Sequence, residues 1–511
     1  MREFIEKNNN IVFKMLFDGI LIGILSGILS VLYRYIISKM DFLRSILFSN
    51  KNTFNIVGLL ILFFVFSVII SKLLKWAPLS GGSGIPQIRA EILGKFNMDE
   101  KKTIISKTVG GGLCDLAGLS LGREGPSIQM GGAIAKLLGK ALKRDSSEIN
   151  YLITAGAGAG LAAAFNAPIA GTLFVIEELH KSYSKFLLIP TLIASVIANF
   201  VSFGILGHRS SFSFIVENNL PLKFMWVCLI IGLLTGIVGV TFNLGIVNAQ
   251  KLYRSFNVKM YIKIFVLMIF ATFIGYNFFE ITGGGHNLME NLAITSYPIK
   301  YLVLILALKL IYTCLSYGSG VQGGIFLPTL VIGGLSGIIV YSLLKGSFDL
   351  SPYYVNFIIL GMSGILASVV RAPILAVMLV TEMTGSFNHL MGLCIVVIIS
   401  YSVAELLKNP PIYDSLFEGQ LKAHGVDEFS KIDSRFSIYE YSISDLSPII
   451  NQSIRDINFP NHLIIIKILR NDLEFIPKAD DLIKPGDKLT VLARKKDYLD
   501  IDEFFKTEVI S

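Results

Sequence analysis

Three short loops rich in glycine and proline each precede an apolar run, and this arrangement could bind an anion. They read GSGIP at 82–86, GREGP at 122–126 and GIFLP at 324–328. A helix N-terminus carries unpaired N–H groups and about half a positive charge, glycine lets the backbone approach an ion closely, and proline suits the first helical turn. The loops therefore predict an anion site made of backbone N–H groups, which needs no ring of lysine or arginine.

Glu124 lies inside the second loop, where its carboxylate would compete with a bound anion. The ionised carboxylate resembles the anion, and protonation removes that resemblance. The alternative for Glu124 is a structural ion pair with the neighbouring Arg123. The alternative for Ser83, in the first loop, is a helix N-cap.

Glu177 and Glu178 are adjacent acids at the end of a long segment of apolar or small residues. Ionisable groups at membrane depth are costly and usually functional. We therefore expect proton handling here, and a helix end that reaches the cytosol is the alternative. Glu382 follows Pro373 at the same spacing as Glu177 follows Pro168, and we expect it to be structural.

The sequence argues against several other kinds of site. GAGAG at 156–160 lies in an apolar helix without an acid placed to bind ribose, so we expect it to serve helix packing. The six histidines lack metal-ligand spacing, and HExxH, nucleophile-elbow and GKS motifs are absent from the sequence. We expect no metal, no cofactor and no nucleic acid, and no enzymatic activity; a membrane-embedded hydrolase built on the paired acids is the enzymatic alternative.

Four cysteines without CxxC pairs are expected to be buried small hydrophobes, namely Cys114, Cys228, Cys314 and Cys394.

The elements that hold these residues must lie mostly in lipid. Hydrophobic residues make up 53% of the 511 positions and charged residues 16%, and the mean hydropathy is +0.65. A soluble chain of this length needs far more polar surface. The polar first residues and the long apolar run after them do not resemble a cleavable signal peptide, so we expect a retained, cytoplasmic N-terminus. Long apolar segments occur near 11–38, 54–74, 151–176, 186–206, 223–248, 261–279, 300–313, 326–344, 354–381 and 391–407.

The glycine- and proline-rich breaks between these segments are candidates for a transport path. Backbone without helical hydrogen bonds is tolerated at membrane depth only where it is buried in protein or lines a watery cavity. An internal repeat supports this interpretation. Pro126 and Pro328 each precede a Gly-Gly pair by five residues, and NAPIAGTLFVIEE at 166–178 is similar to RAPILAVMLVTEM at 371–383, so the two matches are offset by 202 and 205 residues. Repeated halves with interrupted segments are typical of secondary transporters, which bind substrate between the halves.

The last part of the chain has a different composition. Residues 1–423 carry 33 Lys+Arg against 21 Asp+Glu, whereas residues 424–511 carry 12 against 16. Strands are expected at 463–469 and 473–476, with a turn at 470–472 between them and a third strand within 485–493. These features predict a small α+β soluble module after a boundary near residue 420.

The loops together resemble the signatures of the CLC family of chloride channels and proton–chloride antiporters, bacterial type. All three occur in the family's order and spacing, and Tyr413 in PPIY stands where the family's pore tyrosine is expected. The resemblance implies an all-α polytopic membrane domain over 1–415, with two inverted repeat halves at about 12–210 and 220–415. A linker at 416–430 would then lead to a domain at 431–511 that resembles the C-terminal half of RCK (TrkA-C type) regulatory modules, with strand pattern and the PGDKL turn as its basis.

The resemblance also implies roles for individual residues. Ser83 and Tyr413 would offer hydroxyl groups to a central chloride, and the N–H groups of Ile325 and Phe326 would complete that site. Glu124 would be the gate and Glu178 the inner proton-transfer residue, with Glu177 beside it. The chloride-binding set that the resemblance implies is Ser83, Gly84, Ile85, Pro86, Gly122, Arg123, Gly125, Pro126, Gly324, Ile325, Phe326 and Tyr413.

The leading functional hypothesis is proton-coupled chloride exchange. A passive chloride channel is the first alternative, because the family's channels and exchangers share a fold. Transport of nitrate or fluoride is the second, although the family's nitrate and fluoride transporters carry proline or methionine at the position of Ser83. The resemblance further implies a homodimer with one pore per subunit in the cell (inner) membrane, with both termini cytoplasmic. The C-terminal domain would bind a small-molecule ligand or serve assembly alone.

Overall fold

The computed structural model describes residues 2–181, 185–207, 211–212, 214, 216, 218–425, 436–444, 447–460, 463–470, 473–494 and 497–506. The chain forms two compact units, Met1–Phe417 and Glu418–Ser511. The predicted linker at 416–430 overlaps the helix Ile412–Ala423, which includes the boundary between the two units, and residues 426–430 lie outside the described residues. Residues 471 and 472 of the predicted turn also lie outside the described residues, as do residues 431–435 and 507–511 of the predicted C-terminal domain.

The first unit is built from helices. In chain order they are α1 (Arg2–Leu47), α2 (Thr53–Trp76), α3 (Ile85–Ile92), α4 (Glu100–Leu116), α5 (Glu124–Ala141), α6 (Ser146–Phe165), α7 (Pro168–Phe174), α8 (Lys185–Leu206), α9 (Val227–Ser255), α10 (Met260–Asn277), α11 (His286–Ile294), α12 (Ile299–Gly318), α13 (Phe326–Leu344), α14 (Tyr354–Val370), α15 (Pro373–Thr384), α16 (Leu390–Leu406) and α17 (Ile412–Ala423). A π-helical turn, Val175–His180, follows α7 directly.

Within the described part of the chain, nine helices are long and apolar enough to cross a membrane. Their outward faces carry large exposed hydrophobic side chains, such as Phe200 on α8 and Ile398 on α16. A protein surface of this kind is stable in lipid and not in water. Cys394 lies on the same kind of surface, so the prediction that all four cysteines are buried is wrong for this residue; the other three are buried.

Two of the predicted apolar segments are each broken into two helices. The segment at 151–176 divides between α6 and α7 at Asn166, and the segment at 354–381 divides between α14 and α15 at Arg371. Both residues are left-handed, with φ of 55° and 68°, and each is followed two residues later by a proline that begins the next helix. Hydropathy alone does not detect such breaks, because the residues around them remain apolar.

Glycines allow two helix pairs to pack closely, and the two pairs correspond in the repeat. A Cβ on Gly156 of α6 would lie 2.3 Å from the carbonyl oxygen of Gly131 on α5. In the second half, a Cβ on Gly361 of α14 would lie 2.1 Å from the carbonyl oxygen of Gly333 on α13. The prediction that GAGAG at 156–160 serves helix packing is therefore confirmed.

The second unit contains a four-stranded antiparallel sheet in the order β1–β4–β2–β3. Its strands are β1 (Phe436–Ser442), β2 (Leu463–Arg470), β3 (Leu473–Phe475) and β4 (Lys488–Arg494), and helix α18 (Tyr498–Lys506) follows. The three predicted strands are present, whereas β1 and α18 were not predicted. Asp487, immediately before β4, accepts two hydrogen bonds of 2.7 Å from Arg470, and this pair connects the end of β2 to the start of β4.

Candidate functional site

The three predicted loops meet in the structure through backbone hydrogen bonds. The N–H of Gly82 donates to the carbonyl of Val321 at 3.0 Å, and the N–H of Gly323 donates to the carbonyl of Gly82 at 3.1 Å. Gly122 and Gly324 exchange two hydrogen bonds of 2.7 Å each. Gly82 and Gly323 are 241 positions apart in the sequence, so distant loops form one buried backbone junction.

Each loop leads into the first turn of a helix at this junction. Helix α3 begins at Ile85, α5 at Glu124 and α13 at Phe326, and Pro86, Pro126 and Pro328 lie within these first turns. The first N–H groups of a helix have no partner within the helix and attract negative charge. Gly84 has a φ of +93°, and a Cβ there would lie 2.4 Å from Gln129, so glycine is required for this close approach.

Ser83 is fully buried between two helix starts. A Cβ on Gly125 would lie 2.9 Å from the Cβ of Ser83, which brings the first two loops into direct contact. The Tyr317 hydroxyl donates to the Ser83 hydroxyl at 3.4 Å, and the Ile85 N–H lies at the same distance from it. Tyr317 was not predicted, because it lies at the end of α12 in a stretch without a motif.

Tyr413, the tyrosine that was predicted from the PPIY motif, is also buried. It lies near the start of α17, within electrostatic range of Tyr317, Glu178 and Glu124. Tyr413 therefore interacts electrostatically with both predicted acids and with the residue that contacts Ser83.

Glu124 is 1% exposed, and its Oε2 has no hydrogen-bond partner among the described residues. A Cβ on Gly122 would lie 2.3 Å from this Oε2, so the glycine leaves room for the carboxylate. Nε of Arg123 lies 3.9 Å from Oε1, beyond hydrogen-bond distance. Arg123 and Glu124 thus form a long ion pair without a hydrogen bond, so the carboxylate can take up a proton or move at little cost.

Glu177 and Glu178 lie in the π-helical turn, a feature that is often found at functional sites. The carboxylate of Glu177 is engaged: it accepts the N–H groups of Ile374 at 3.2 Å and Leu375 at 2.7 Å, at the start of α15. Glu382 at the end of α15 makes the corresponding contacts with the start of α7, where it accepts hydrogen bonds from Ile169 at 3.0 Å and Ala170 at 2.7 Å.

Glu178 has a different environment from Glu177. It is 1% exposed, and its Oε1 lacks a hydrogen-bond partner within the described part of the chain. Like Glu177, it lines a cavity of about 470 Å³, together with Lys181, Arg371 and Glu405, but its Oε1 is not held by a backbone N–H group. A buried carboxylate at the wall of a polar cavity can exchange protons with water in that cavity.

Lys107 is a buried lysine that was not predicted from the sequence. Its side chain is fully buried on α4, and its amino group donates to the carbonyl oxygen of Gly82 at 2.6 Å. This contact connects the first loop to α4. A lysine inside a segment of otherwise small and apolar residues was the available signal.

Comparison with known proteins agrees with this geometry. The family model described as voltage gated chloride channel matches residues 63–405, and the TrkA-C domain model matches residues 438–506. The H(+)/Cl(-) exchange transporter ClcA of Vibrio parahaemolyticus is 34% identical over 359 residues, which cover 68% of this chain and 76% of that protein. The protein of the same name from Citrobacter koseri is 33% identical over 371 residues, which cover 70% of this chain and 77% of that protein.

A solved structure gives the same result for the fold. The X-ray crystal structure of a slow cyanobacterial Cl-/H+ antiporter is 31% identical and superposes with a TM-score of 0.75, over 80% of this chain and 99% of that one. The many apolar helices and the small C-terminal sheet agree with a CLC fold followed by a TrkA-C domain. The expectation of a membrane protein that is not an enzyme is confirmed by these matches. The chain belongs to the CLC (voltage gated chloride channel) family and carries a C-terminal TrkA-C domain.

Proposed function

We propose that this protein exchanges chloride for protons across a membrane, with Glu124 as the gate and Glu178 as the proton-transfer residue. The observation that carries the proposal is a pair of buried carboxylates, each with one oxygen that lacks a hydrogen-bond partner among the described residues. Burial of an unpaired carboxylate is costly unless it takes up a proton or replaces an anion. The names of the relatives, which are H(+)/Cl(-) exchange transporters, support the same activity.

Chloride would bind at the loop junction, where backbone N–H groups converge. The starts of α3, α5 and α13 supply the N–H groups, and the buried hydroxyls of Ser83 and Tyr413 supply directional donors. The contact between Tyr317 and Ser83 orients the serine hydroxyl, so Tyr317 acts as a positioning residue. The full chloride-binding set that was predicted from the resemblance is retained in this proposal.

Glu124 would occupy the anion site when ionised and leave it when protonated. The space beside Gly122 and the long distance to Arg123 support such movement, because no strong contact has to break. Glu178 would then exchange protons with water in the cavity of about 470 Å³. We assign no proton transfer to Glu177, because both of its oxygens accept backbone hydrogen bonds.

Several further properties belong to the same proposal. We place the transport domain at 1–415 and the regulatory domain at 431–511, which is supported by the change in charge near residue 420. A homodimer with one pore per subunit, an inner-membrane location and cytoplasmic termini follow from the family resemblance. The acidic, sheet-containing C-terminal domain would bind a small-molecule ligand that regulates transport.

Proton movement in liposomes tests the proposal. Wild-type protein in chloride-loaded liposomes should drive protons uphill as chloride leaves. Glu124→Gln should retain chloride flux that no longer responds to pH and should move no protons. Glu178→Gln should move no protons either, yet its chloride flux should still respond to pH through Glu124.

Glu382→Gln is the matched control, since it removes a carboxylate that serves only as a backbone acceptor, and it should retain proton movement. If wild-type protein conducts chloride without any uphill proton movement, exchange is wrong and the protein is a passive channel. If Glu124→Gln and Glu178→Gln both still move protons uphill, the roles proposed for Glu124 and Glu178 are wrong.

A further inference from the structure

A cavity of about 600 Å³ beside the gate loop is lined by three arginines. Arg34 and Arg44 project from α1, and Arg123 immediately precedes Glu124. Asp41 is the one carboxylate among the described residues that line it. Arg44 is already paired with Asp41 and Asp115, so the net positive charge of the lining comes from Arg34 and Arg123.

Each of the three arginines has a buried nitrogen that lacks a hydrogen-bond acceptor in the described structure: Nη1 of Arg34, Nε of Arg44 and Nε of Arg123. Arg44 is only 4% exposed. Since these three nitrogens are closed off from solvent, an anion in the cavity would bind the other nitrogens of Arg34 and Arg123, which make no hydrogen bond within the described residues. Arg34 and Arg123 also lie within electrostatic range of each other, so a bound anion would relieve their repulsion.

The start of α11 adds backbone donors to the same cavity. His286 and Asn287, its first two residues, line the cavity, and Gly285 before them is left-handed with a φ of 92°. The fully buried Lys309 supports this turn by donating to the carbonyls of Ile281 and Gly283, at 2.9 Å each. Three sources of positive potential, the side chains of Arg34 and Arg123 and one helix N-terminus, therefore converge here.

The size and chemistry of the cavity identify the class of ligand. Its volume is far larger than a halide requires and lies in the usual range for small-molecule sites. Guanidinium groups match the spaced oxygens of phosphate and carboxylate groups better than a spherical ion. An adjoining cavity of about 410 Å³ shares Arg44 and Arg123 but also faces Asp115 and Glu280, so it lacks this anion preference.

We propose that the cavity of about 600 Å³ binds a polyvalent oxyanion with phosphate-type chemistry, either free in solution or as a lipid headgroup, and that occupancy limits access of the transported anion to Glu124. The binding step stands independently of the transport activity. The effect on access rests on the proposed function of Glu124. The cavity shares no lining residue with the cavity at Glu178.

Calorimetry on the full-length protein in neutral-lipid nanodiscs, with inorganic pyrophosphate as the probe, tests the binding step. Arg34→Gln should weaken binding about tenfold, the effect of losing one hydrogen bond to a charged group. Lys39→Gln is the matched control, because Lys39 lies on the same helix, is exposed and does not line the cavity. Equal binding by wild type and Arg34→Gln, or an equal loss in Lys39→Gln, would overturn the proposed site.

Nanodiscs that contain an anionic phospholipid separate the two sources of the ligand. If a lipid headgroup competes for the site, the affinity of wild-type protein for pyrophosphate should be lower in these nanodiscs than in neutral ones, and the decrease should be smaller for Arg34→Gln. If the affinity is unchanged, the ligand is a free anion. Pyrophosphate should also slow chloride flux in wild-type liposomes more than in Arg34→Gln. Arg34-dependent binding without slower flux would refute the effect on access alone. Arg34-dependent binding in a protein that moves no protons would leave the site intact and refute the exchange mechanism instead.

Discussion

The reciprocal contacts of Glu177 and Glu382 predict that Glu177→Gln destabilises the membrane unit while proton coupling persists. The glutamine keeps one acceptor oxygen but turns an amide donor toward the other backbone N–H group. The hydrogen bond from Leu375 dominates the effect, since it measures 2.7 Å and Leu375 is fully buried. Water can replace the bond from Ile374, which is exposed. Loss of a hydrogen bond to a charged group costs about 1.5–3 kcal/mol, and we expect the free energy of unfolding to fall by that amount.

A double-mutant cycle measures whether the two contacts act together. Glu382→Gln should cost a similar amount, because its bond from buried Ala170 is also 2.7 Å long. Once one contact is lost, α7 and α15 can separate locally, so the remaining contact stabilises less. The double variant should therefore cost less than the sum of the single variants by at least ~0.5 kcal/mol. Unfolding in mixed detergent micelles by a titration with a denaturing detergent gives the four free energies.

Proton movement by the same variants decides between a structural and a catalytic role for Glu177. The structural role requires that Glu177→Gln protein moves protons as wild type does once equal amounts of folded protein are compared. Glu178→Gln, one residue away, should lose proton movement under the same conditions. The reasoning is refuted if Glu177→Gln unfolds like wild type and yet moves no protons, because Glu177 would then act in proton transfer, as its place in the sequence predicted.

Two further predictions concern the anion loop and the C-terminal domain. Ser83→Pro removes a buried hydroxyl and reshapes the loop before α3, so nitrate flux should rise relative to chloride flux in liposomes; unchanged ratios would argue against Ser83 lining the path. In the C-terminal domain, burial raises the pKa of Asp487, but its hydrogen bonds with Arg470 and the Lys484 N–H outweigh burial and lower the pKa overall. A lowered pKa stabilises the fold above the unfolded value of about 3.9 and the stabilisation is lost as the pH falls through the lower folded value. Pepsin cleavage of the full-length protein within 436–506 should therefore begin at a higher pH in Arg470→Gln than in wild type, whereas the exposed-pair control Arg455→Gln should match wild type.

The parts of the site that the sequence predicted are those in which local chemistry repeats along the chain. Glycine followed by proline before an apolar run predicts a helix start, and three such runs predicted three helix starts that meet. The contacts of Lys107 and Tyr317 with the first loop were not predicted, because each joins residues that are distant in the sequence. Lys107 and Gly82 are 25 positions apart, and Tyr317 and Ser83 are 234 positions apart. No local pattern specifies which distant carbonyl a buried lysine reaches.

Strand β1 and the division of two apolar segments were missed for a different reason. A strand is recognised in a sequence when its apolar residues alternate with polar ones and face the core. Strand β1 lies at one edge of its sheet, where apolar Ile438 is exposed while Tyr441 is buried, so its sequence lacks this clear alternation. At Asn166 and Arg371 the chain changes direction through a left-handed conformation, while hydropathy stays high on both sides. A pattern of hydrophobicity cannot reveal a change in one backbone angle.

The repeat extends further in the structure than in the sequence, and this extension explains why the two halves have different roles. Gly82 and Gly283 are both left-handed, with φ of 64° and 61°, and a fully buried lysine donates to the carbonyl of each, Lys107 in the first half and Lys309 in the second. The two lysines are 202 residues apart, which is the offset of the proline motifs. The first half carries Ser83 after its left-handed glycine, whereas the second half carries another glycine and leads into α11, whose first residues His286 and Asn287 line the arginine-lined cavity. In our proposal, the same backbone arrangement therefore precedes a chloride site at the loop junction in the first half and the oxyanion cavity at the start of α11 in the second half. Two experiments test the two sites separately. The nitrate-to-chloride flux ratio of Ser83→Pro tests the loop junction, and pyrophosphate binding by Arg34→Gln tests the arginine-lined cavity.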